Sequence, residues 1–318
     1  MNRSSKILVA GHTGLVGSAM KRRLEEEGYT DIAEASWPAI DLTDQRATDE
    51  LLARERLEAV FLCAAKVGGI LANSTLPADF IYQNVMIAAN VIHASFRHGA
   101  RKLLNLGSSC IYPRLAPQPI REEYLLTDEL EPTNEPYAIA KIAAIKLCSA
   151  YNRQHGTNFI SVMPTNLYGP GDNFDLETSH VLPAMIRRFH EAKENGAPAV
   201  TLWGTGTPRR EFLYVDDLAA ACVHLMTHHD ARALGEFVNI GTGTDLTIAE
   251  LAGIVARVVG YGGEIRWDRT KPDGTPQKLL DVSRIHDLGW RAGVGLEEGI
   301  QRTYRWYLDN QQTCRGVS

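Results

Sequence analysis

No apolar run in the chain approaches the roughly 20 residues that a helix needs to cross a bilayer. Basic residues are not in excess either. Lys and Arg number 33 against 38 Asp and Glu, a net charge of −5, which leaves no electrostatic footprint for nucleic acid or an anionic membrane. Cysteine is scarce: Cys63, Cys110, Cys148, Cys222 and Cys314 form an odd, scattered set with no C-x-x-C pair. That pattern argues against a disulfide framework and structural zinc, and for reduced thiols. Met1–Ser5 is short and polar and runs straight into an apolar strand, without the charged-then-apolar pattern of a leader. The expectation is a soluble, cytoplasmic protein with no metal, no nucleic-acid partner and no membrane partner.

What is present fits an enzyme. A length of 318 residues favours about two domains, and 44% hydrophobic with 22% charged residues is an ordinary globular composition. Lys6–Ala10 reads as a buried strand ended by Gly11. Leu15–Glu27 turns helical, with Leu15, Met20 and Leu24 on one face, and Gly28 closes it. Strands at Asp31–Ala35, Ala59–Cys63, Lys102–Leu106 and Phe159–Met163 alternate with helices at Asp44–Arg56, Pro77–His98 and Tyr137–Asn152. Such alternation predicts an α/β, Rossmann-like, doubly wound parallel sheet, whose ligands bind beyond the carboxyl ends of the strands. After Gly171 the regularity breaks. Val181–Glu194, Asp216–Thr227, Thr247–Val259 and Leu296–Asn310 read as helices, and Val200–Trp203, Phe212–Tyr214 and Phe237–Ile240 as strands. The division expected is a dinucleotide-binding domain over 1–171 plus about 213–243, and a smaller α/β substrate domain over 172–212 and 244–318.

Gly11-His12-Thr13-Gly14-Leu15-Val16-Gly17 lies between the first strand and the first helix. Glycines there permit the tight turn, close backbone approach to a pyrophosphate and close helix–strand packing, and the helix N-terminus offers free N–H groups to phosphates. The string is weak by itself; its place directly after strand one raises it. The residues leave NAD and NADP both open. A 2′-phosphate wants an Arg nearby, yet position 13 is Thr13 and the second strand ends in Ser36-Trp37.

Ser108 follows the fourth strand, and Tyr137 and Lys141 stand four residues apart, on one face of a helix. An ammonium beside the phenol is expected to lower its pKa from near 10 toward a working range. Ser108 can hydrogen-bond a substrate oxygen, while Lys141 can also hold the nicotinamide ribose. From spacing alone, Cys110 reads as a small buried hydrophobe and His180 as a loop histidine.

Longer strings carry a closer resemblance. Lys66-Val67-Gly68-Gly69-Ile70, Asp79-Phe80-Ile81-Tyr82-Gln83-Asn84, the run from Leu106 to Pro113 (L-G-S-S-C-I-Y-P), Glu131 to Lys141 (E-P-T-N-E-P-Y-A-I-A-K), Met163 to Pro170 and Lys271-Pro272-Asp273-Gly274-Thr275-Pro276 resemble the GDP-L-fucose synthases of the extended short-chain dehydrogenase/reductase family. The resemblance implies epimerisation of a GDP-4-keto-6-deoxy sugar at C-3 and C-5, then reduction at C-4 with NADP(H). It gives Cys110 and His180 the roles of epimerisation base and acid. It places the cofactor on the glycine loop and on Asp41, Leu42, Ala64, Leu106, Gly107, Lys141, Pro164, Thr165, Asn166, Leu167 and His180. It assigns the nucleotide end of the substrate to Arg188, Trp203, Arg210, Asp273 and Lys278, and implies a homodimer. A dehydratase of this superfamily would carry Asp-Glu where Ser109-Cys110 stand. A related enzyme on a heptose or dideoxy sugar, and a non-catalytic dinucleotide-binding regulator, are the alternatives.

Overall fold

The computed structural model describes residues 1–271 and 273–316; Pro272 of the Lys271–Pro276 string lies outside them. The first half alternates strictly: β1 (Ile7–Ala10), α1 (Leu15–Glu26), β2 (Ile32–Ala35), α2 (Gln45–Glu55), β3 (Ala59–Leu62), α3 (Ile70–Thr75), α4 (Pro77–Arg97), β4 (Lys102–Leu106), α5 (Glu135–His155) and β5 (Phe159–Pro164). The second half is shorter-grained: β6 (Asn166–Tyr168), α6 (Val181–Glu194), β7 (Ala199–Trp203), β8 (Arg209–Tyr214), α7 (Val215–His228), α8 (Ala231–Leu234), β9 (Val238–Ile240), β10 (Asp245–Thr247), α9 (Ile248–Val259), β11 (Glu264–Asp268), β12 (Gln277–Lys278), α10 (Ser283–Asp287) and α11 (Leu296–Asn310).

Six strands form one sheet in the order β2-β1-β3-β4-β5-β9, with every pairing parallel. Parallel strands are covered on both faces, and β1, β3, β4 and β5 are buried along their whole lengths. Apolar clusters lie on either side: Val9, Met20, Leu24, Leu213 and Leu218 belong to one, and Leu8, Leu52, Val60, Val91 and Ile92 to the other. Strand order reverses between β1 and β3, so their following loops part and open a crevice. At the floor of that crevice the two strand ends are close, since a Cβ on Gly11 would stand 2.7 Å from the backbone of Ala64.

A third apolar cluster, including Leu182, Ile186, Phe189, Leu202, Leu251, Val255 and Ile300, sits under α6, α9 and α11. Thr247 starts α9 with a reciprocal capping box to Glu250. β8 bridges the two parts of the chain. It pairs with β6, which continues from the main-sheet strand β5, and with β10 and β12. The strands β6, β10 and β12 have two or three residues each, too few for a period to be read from sequence; their partners define them.

Candidate active site

The crevice receives its first wall from the glycine loop. A Cβ on Gly17 would fall 2.0 Å from the Gly11 carbonyl oxygen, and Gly11 itself holds φ +85°, so both positions exclude a side chain. Gly14 stands at the N-cap of α1 and no side chain caps that helix, leaving first-turn N–H groups for an anionic ligand. These features fit a dinucleotide pyrophosphate. Ala64 lies alongside. Asp41 turns its carboxylate onto Thr43, 2.9 Å to the backbone N and 2.7 Å to Oγ1. Leu42 is buried in the core, and its carbonyl accepts from Asn90 at 3.0 Å.

The second wall is the end of β4 and the face of α5. Gly107 N donates to Val162 O at 2.8 Å, tying the strand end to β5. Ser108 caps a 3-10 turn over Ser109–Ile111, accepting from Cys110 N at 3.4 Å. Lys141 is buried and its Nζ donates to Leu106 O at 2.8 Å. The same Nζ stands 5.7 Å from the Tyr137 ring centroid. Tyr137 packs edge-on against Phe80, 6.1 Å between centroids, and its hydroxyl is within reach of Ser108.

The expectation that Lys141 pulls the phenol down is corrected by this environment. Burial pushes Tyr137 well above the ordinary phenol value, with Cys110 adding and only the Ser108 hydrogen bond opposing. Burial instead moves the lysine, pushed down to about 8. The ammonium is held on the Leu106 carbonyl, and desolvation is the largest cause acting on both groups. Tyr137 is therefore a firmly protonated donor.

Cys110 and His180 come from parts of the chain far apart in sequence, and one residue connects them. Lys278 in β12 exerts its charge on both. Burial raises the Cys110 thiol, opposed by Lys278, Ser108 and Lys141. His180, at the N-cap of α6, is open to solvent yet closely surrounded, the condition of a cleft wall. That surrounding protein, with Lys278, lowers its imidazole. At neutral pH the resting pair is thus thiol and neutral imidazole. The loop before His180 rests on the K-V-G-G string. Gly69 N donates to Thr178 O at 2.9 Å, and Asn73 Nδ2 donates to the Gly68 and Gly69 carbonyls at 2.8 and 3.0 Å. A Cβ on Gly69 would lie 2.9 Å from Ser179 O.

Lys278 pairs in register with Arg210 of β8; each has its pKa lowered, burial being the largest cause. Arg188 is half-buried and donates to Leu176 O at 3.2 Å, while Trp203 is 53% exposed with the Lys271 ammonium 5.3 Å above its ring. Asp273 binds Thr205, with 2.7 Å to its N and 2.8 Å to its Oγ1. Pro164 closes β5; Thr165 and Asn166 anchor to Glu211 O at 3.2 and 2.7 Å, with Leu167 following in β6.

The sequence reading has no role for three residues that the fold makes prominent. A small cavity beside Cys110 and Lys278 is also lined by Glu131 and Asn134, and Asn134 Oδ1 there is buried without a partner. Glu211 is fully buried in β8. Its carboxylate accepts from Thr242 N at 2.6 Å, Gly243 N at 2.7 Å and Leu280 N at 3.0 Å, fixing the strand that carries Lys278. Only Glu131 and Asn134 lie in a string singled out above.

A family model described as the NAD dependent epimerase/dehydratase family matches residues 7–241. GDP-L-fucose synthase 1 of Arabidopsis thaliana is 58% identical over 97% of this chain and 95% of its own length. GDP-L-fucose synthase of Escherichia coli (strain K12) is 55% identical over 98% of this chain and 99% of its own. The chain belongs to the GDP-L-fucose synthase branch of this family. Among solved structures, a GDP-mannoheptose C4 reductase from Campylobacter jejuni with NADP bound superposes with a TM-score of 0.90, at 39% identity over 97% of this chain and 99% of that one. A nicotinamide dinucleotide is the cofactor of this GDP-L-fucose synthase branch, and the glycine loop of this member fits one.

Proposed function

We propose that this chain epimerises GDP-4-keto-6-deoxy-D-mannose at C-3 and C-5 and then reduces C-4, giving GDP-L-fucose. What supports the reading is that Ser108, Cys110, Tyr137 and Lys141 are grouped at the end of β4 and on α5, and that Lys278 acts by its charge on both Cys110 and His180. Identity of 55–58% over nearly the whole chain to proteins of that name supports it.

Ser108 and Tyr137 donate to the C-4 carbonyl oxygen. That polarised carbonyl acidifies the hydrogens on both neighbouring carbons, so one pair of donors serves both stages. Cys110 removes a proton from the ring carbon and His180 returns one from the opposite face. Reduction comes last because it removes the acidifying group. When bound, the nicotinamide supplies the hydride, with NADPH the reductant that the resemblance implies. Lys141 holds the nicotinamide ribose, and Tyr137 gives its proton to the developing alkoxide. Arg188, Arg210 and Lys278 grip the GDP pyrophosphate, with Trp203 and Asp273 at the nucleotide end. The residues 1–171 with about 213–243 form the dinucleotide part, and the remainder the sugar-nucleotide part.

α4 and α5 pack on each other while leaving Tyr82 and Ile139 exposed, a face suited to a cytoplasmic homodimer. No helix among the described residues is long and apolar enough to cross a membrane.

The test is turnover of GDP-4-keto-6-deoxy-D-mannose with reduced dinucleotide in deuterated water. NMR of the product is expected to show deuterium at two ring positions and the L-fucose configuration. Reduction without deuterium uptake would leave a plain ketoreductase. Substituting Gly69 with Ala is expected to push the Thr178–His180 loop outward and to slow deuterium uptake roughly 10- to 100-fold, the cost of about 1 Å of misplacement. Dinucleotide affinity, measured by titration, should change far less.

A further inference from the structure

We propose that this chain prefers NADH to NADPH, with Glu34 as the residue that sets the choice. The inference rests on the dinucleotide-dependent reductase reading and concerns the far end of the cofactor from the chemistry.

The end of β2 and the glycine loop form one ledge, because Gly11 N donates to Ala35 O at 2.6 Å. With a pyrophosphate on that loop, the adenosine ribose of a dinucleotide falls at the end of the second strand, where a carboxylate binds a free 2′-hydroxyl and an Arg accommodates a 2′-phosphate. The ledge carries Thr13, Glu34, Ser36 and Trp37 and so offers no guanidinium.

Two side chains, Lys21 and His12, do reach it, and both are already turned onto Glu34. Lys21 Nζ stands 2.5 Å from Glu34 Oε1, and His12 Nε2 stands 3.2 Å from Glu34 Oε2. Lys21, through its hydrogen bond, holds the Glu34 carboxyl below the ordinary range, so it is anionic at neutral pH. Lys21 and Glu34 cancel, and the ledge has no surplus positive charge for a phosphate. An incoming 2′-phosphate would either sit beside a carboxylate, which like charge opposes, or break the Lys21 and His12 pairs to displace it. A 2′-hydroxyl has no such conflict, and can donate to the carboxylate that is there.

The experiment is calorimetric titration of the full chain with NADH and NADPH, and with the fragments adenosine 5′-monophosphate and adenosine 2′,5′-bisphosphate, without sugar substrate. NADH is expected to bind at least about tenfold more tightly than NADPH, with the fragments in the same order. Glu34→Gln should shrink that ratio toward one, and a Thr13→Arg, Trp37→Arg double variant should reverse it. NADPH binding as tightly as NADH, or a ratio untouched by Glu34→Gln, overturns the proposal and leaves the reductase reading standing. If neither dinucleotide binds, the reductase reading falls and this proposal with it.

Discussion

Replacement of Tyr137 by Phe is expected to slow C-4 reduction by about 10² to 10⁴-fold, the range for loss of a positioned proton donor. The substitution removes one oxygen and keeps the ring edge that packs on Phe80, so the fold should hold. Burial keeps Tyr137 protonated, so the phenol still holds the proton that the alkoxide developing at C-4 takes up. Single-turnover decay of the reduced nicotinamide signal measures the step, and a residual rate within tenfold of the parent enzyme would remove Tyr137 from the role. The wild-type reaction should also weaken above about pH 8. Lys141 has its pKa lowered to about 8, so its charge is present below that value and lost above it, and with it the ammonium that holds the nicotinamide ribose.

Deuterium exchange should depend differently on pH and on a different residue. Cys110→Ser is expected to cut exchange into the sugar ring by roughly 100-fold or more, because an alcohol is a far weaker acid than a thiol and supplies almost no base at neutral pH. Reduction of a keto sugar that already has the product configuration should continue. The thiol is raised and the imidazole lowered, so the active arrangement, thiolate with imidazolium, is a minor form carrying the same number of protons as the resting pair. Its fraction is constant between the two pKa values. Exchange is therefore expected to be level across neutral pH, falling below the His180 value and above the Cys110 value. Loss of exchange by half or less in Cys110→Ser would show that the base lies elsewhere.

Local pattern made much of this protein legible. Four-residue apolar strands, the glycine loop and long amphipathic helices are local features, and each appears where its sequence places it; Val181–Glu194 and Leu296–Asn310 match to the residue. The strands β6, β10 and β12 were not legible, because two or three residues carry no period and become strands only by pairing with β8. Cys110 shows the same limit at the site. Spacing gives a small buried hydrophobe, and its burial agrees; what spacing cannot give is that Lys278, more than 160 residues away in the numbering, acts by its charge on Cys110 and on His180 alike. Glu211 reads in sequence as one more charge in a strand, and only the converging N–H groups of Thr242, Gly243 and Leu280 explain a fully buried carboxylate.

The sequence by itself determined the parallel sheet, the glycine loop, and the placing of Ser108 after β4 and of Tyr137 and Lys141 on one helix, because backbone conformation and periodicity are local and each of these needs only its own segment. Tertiary structure decided the protonation of that set. Whether an ammonium lowers a phenol, or burial raises the phenol and lowers the lysine instead, depends on how much protein surrounds both groups and on which carbonyl Lys141 reaches. It also decided the charge of the Glu34 ledge, where Lys21 and His12, harmless to a 2′-phosphate as letters in a chain, are turned onto a carboxylate and have nothing left to give it.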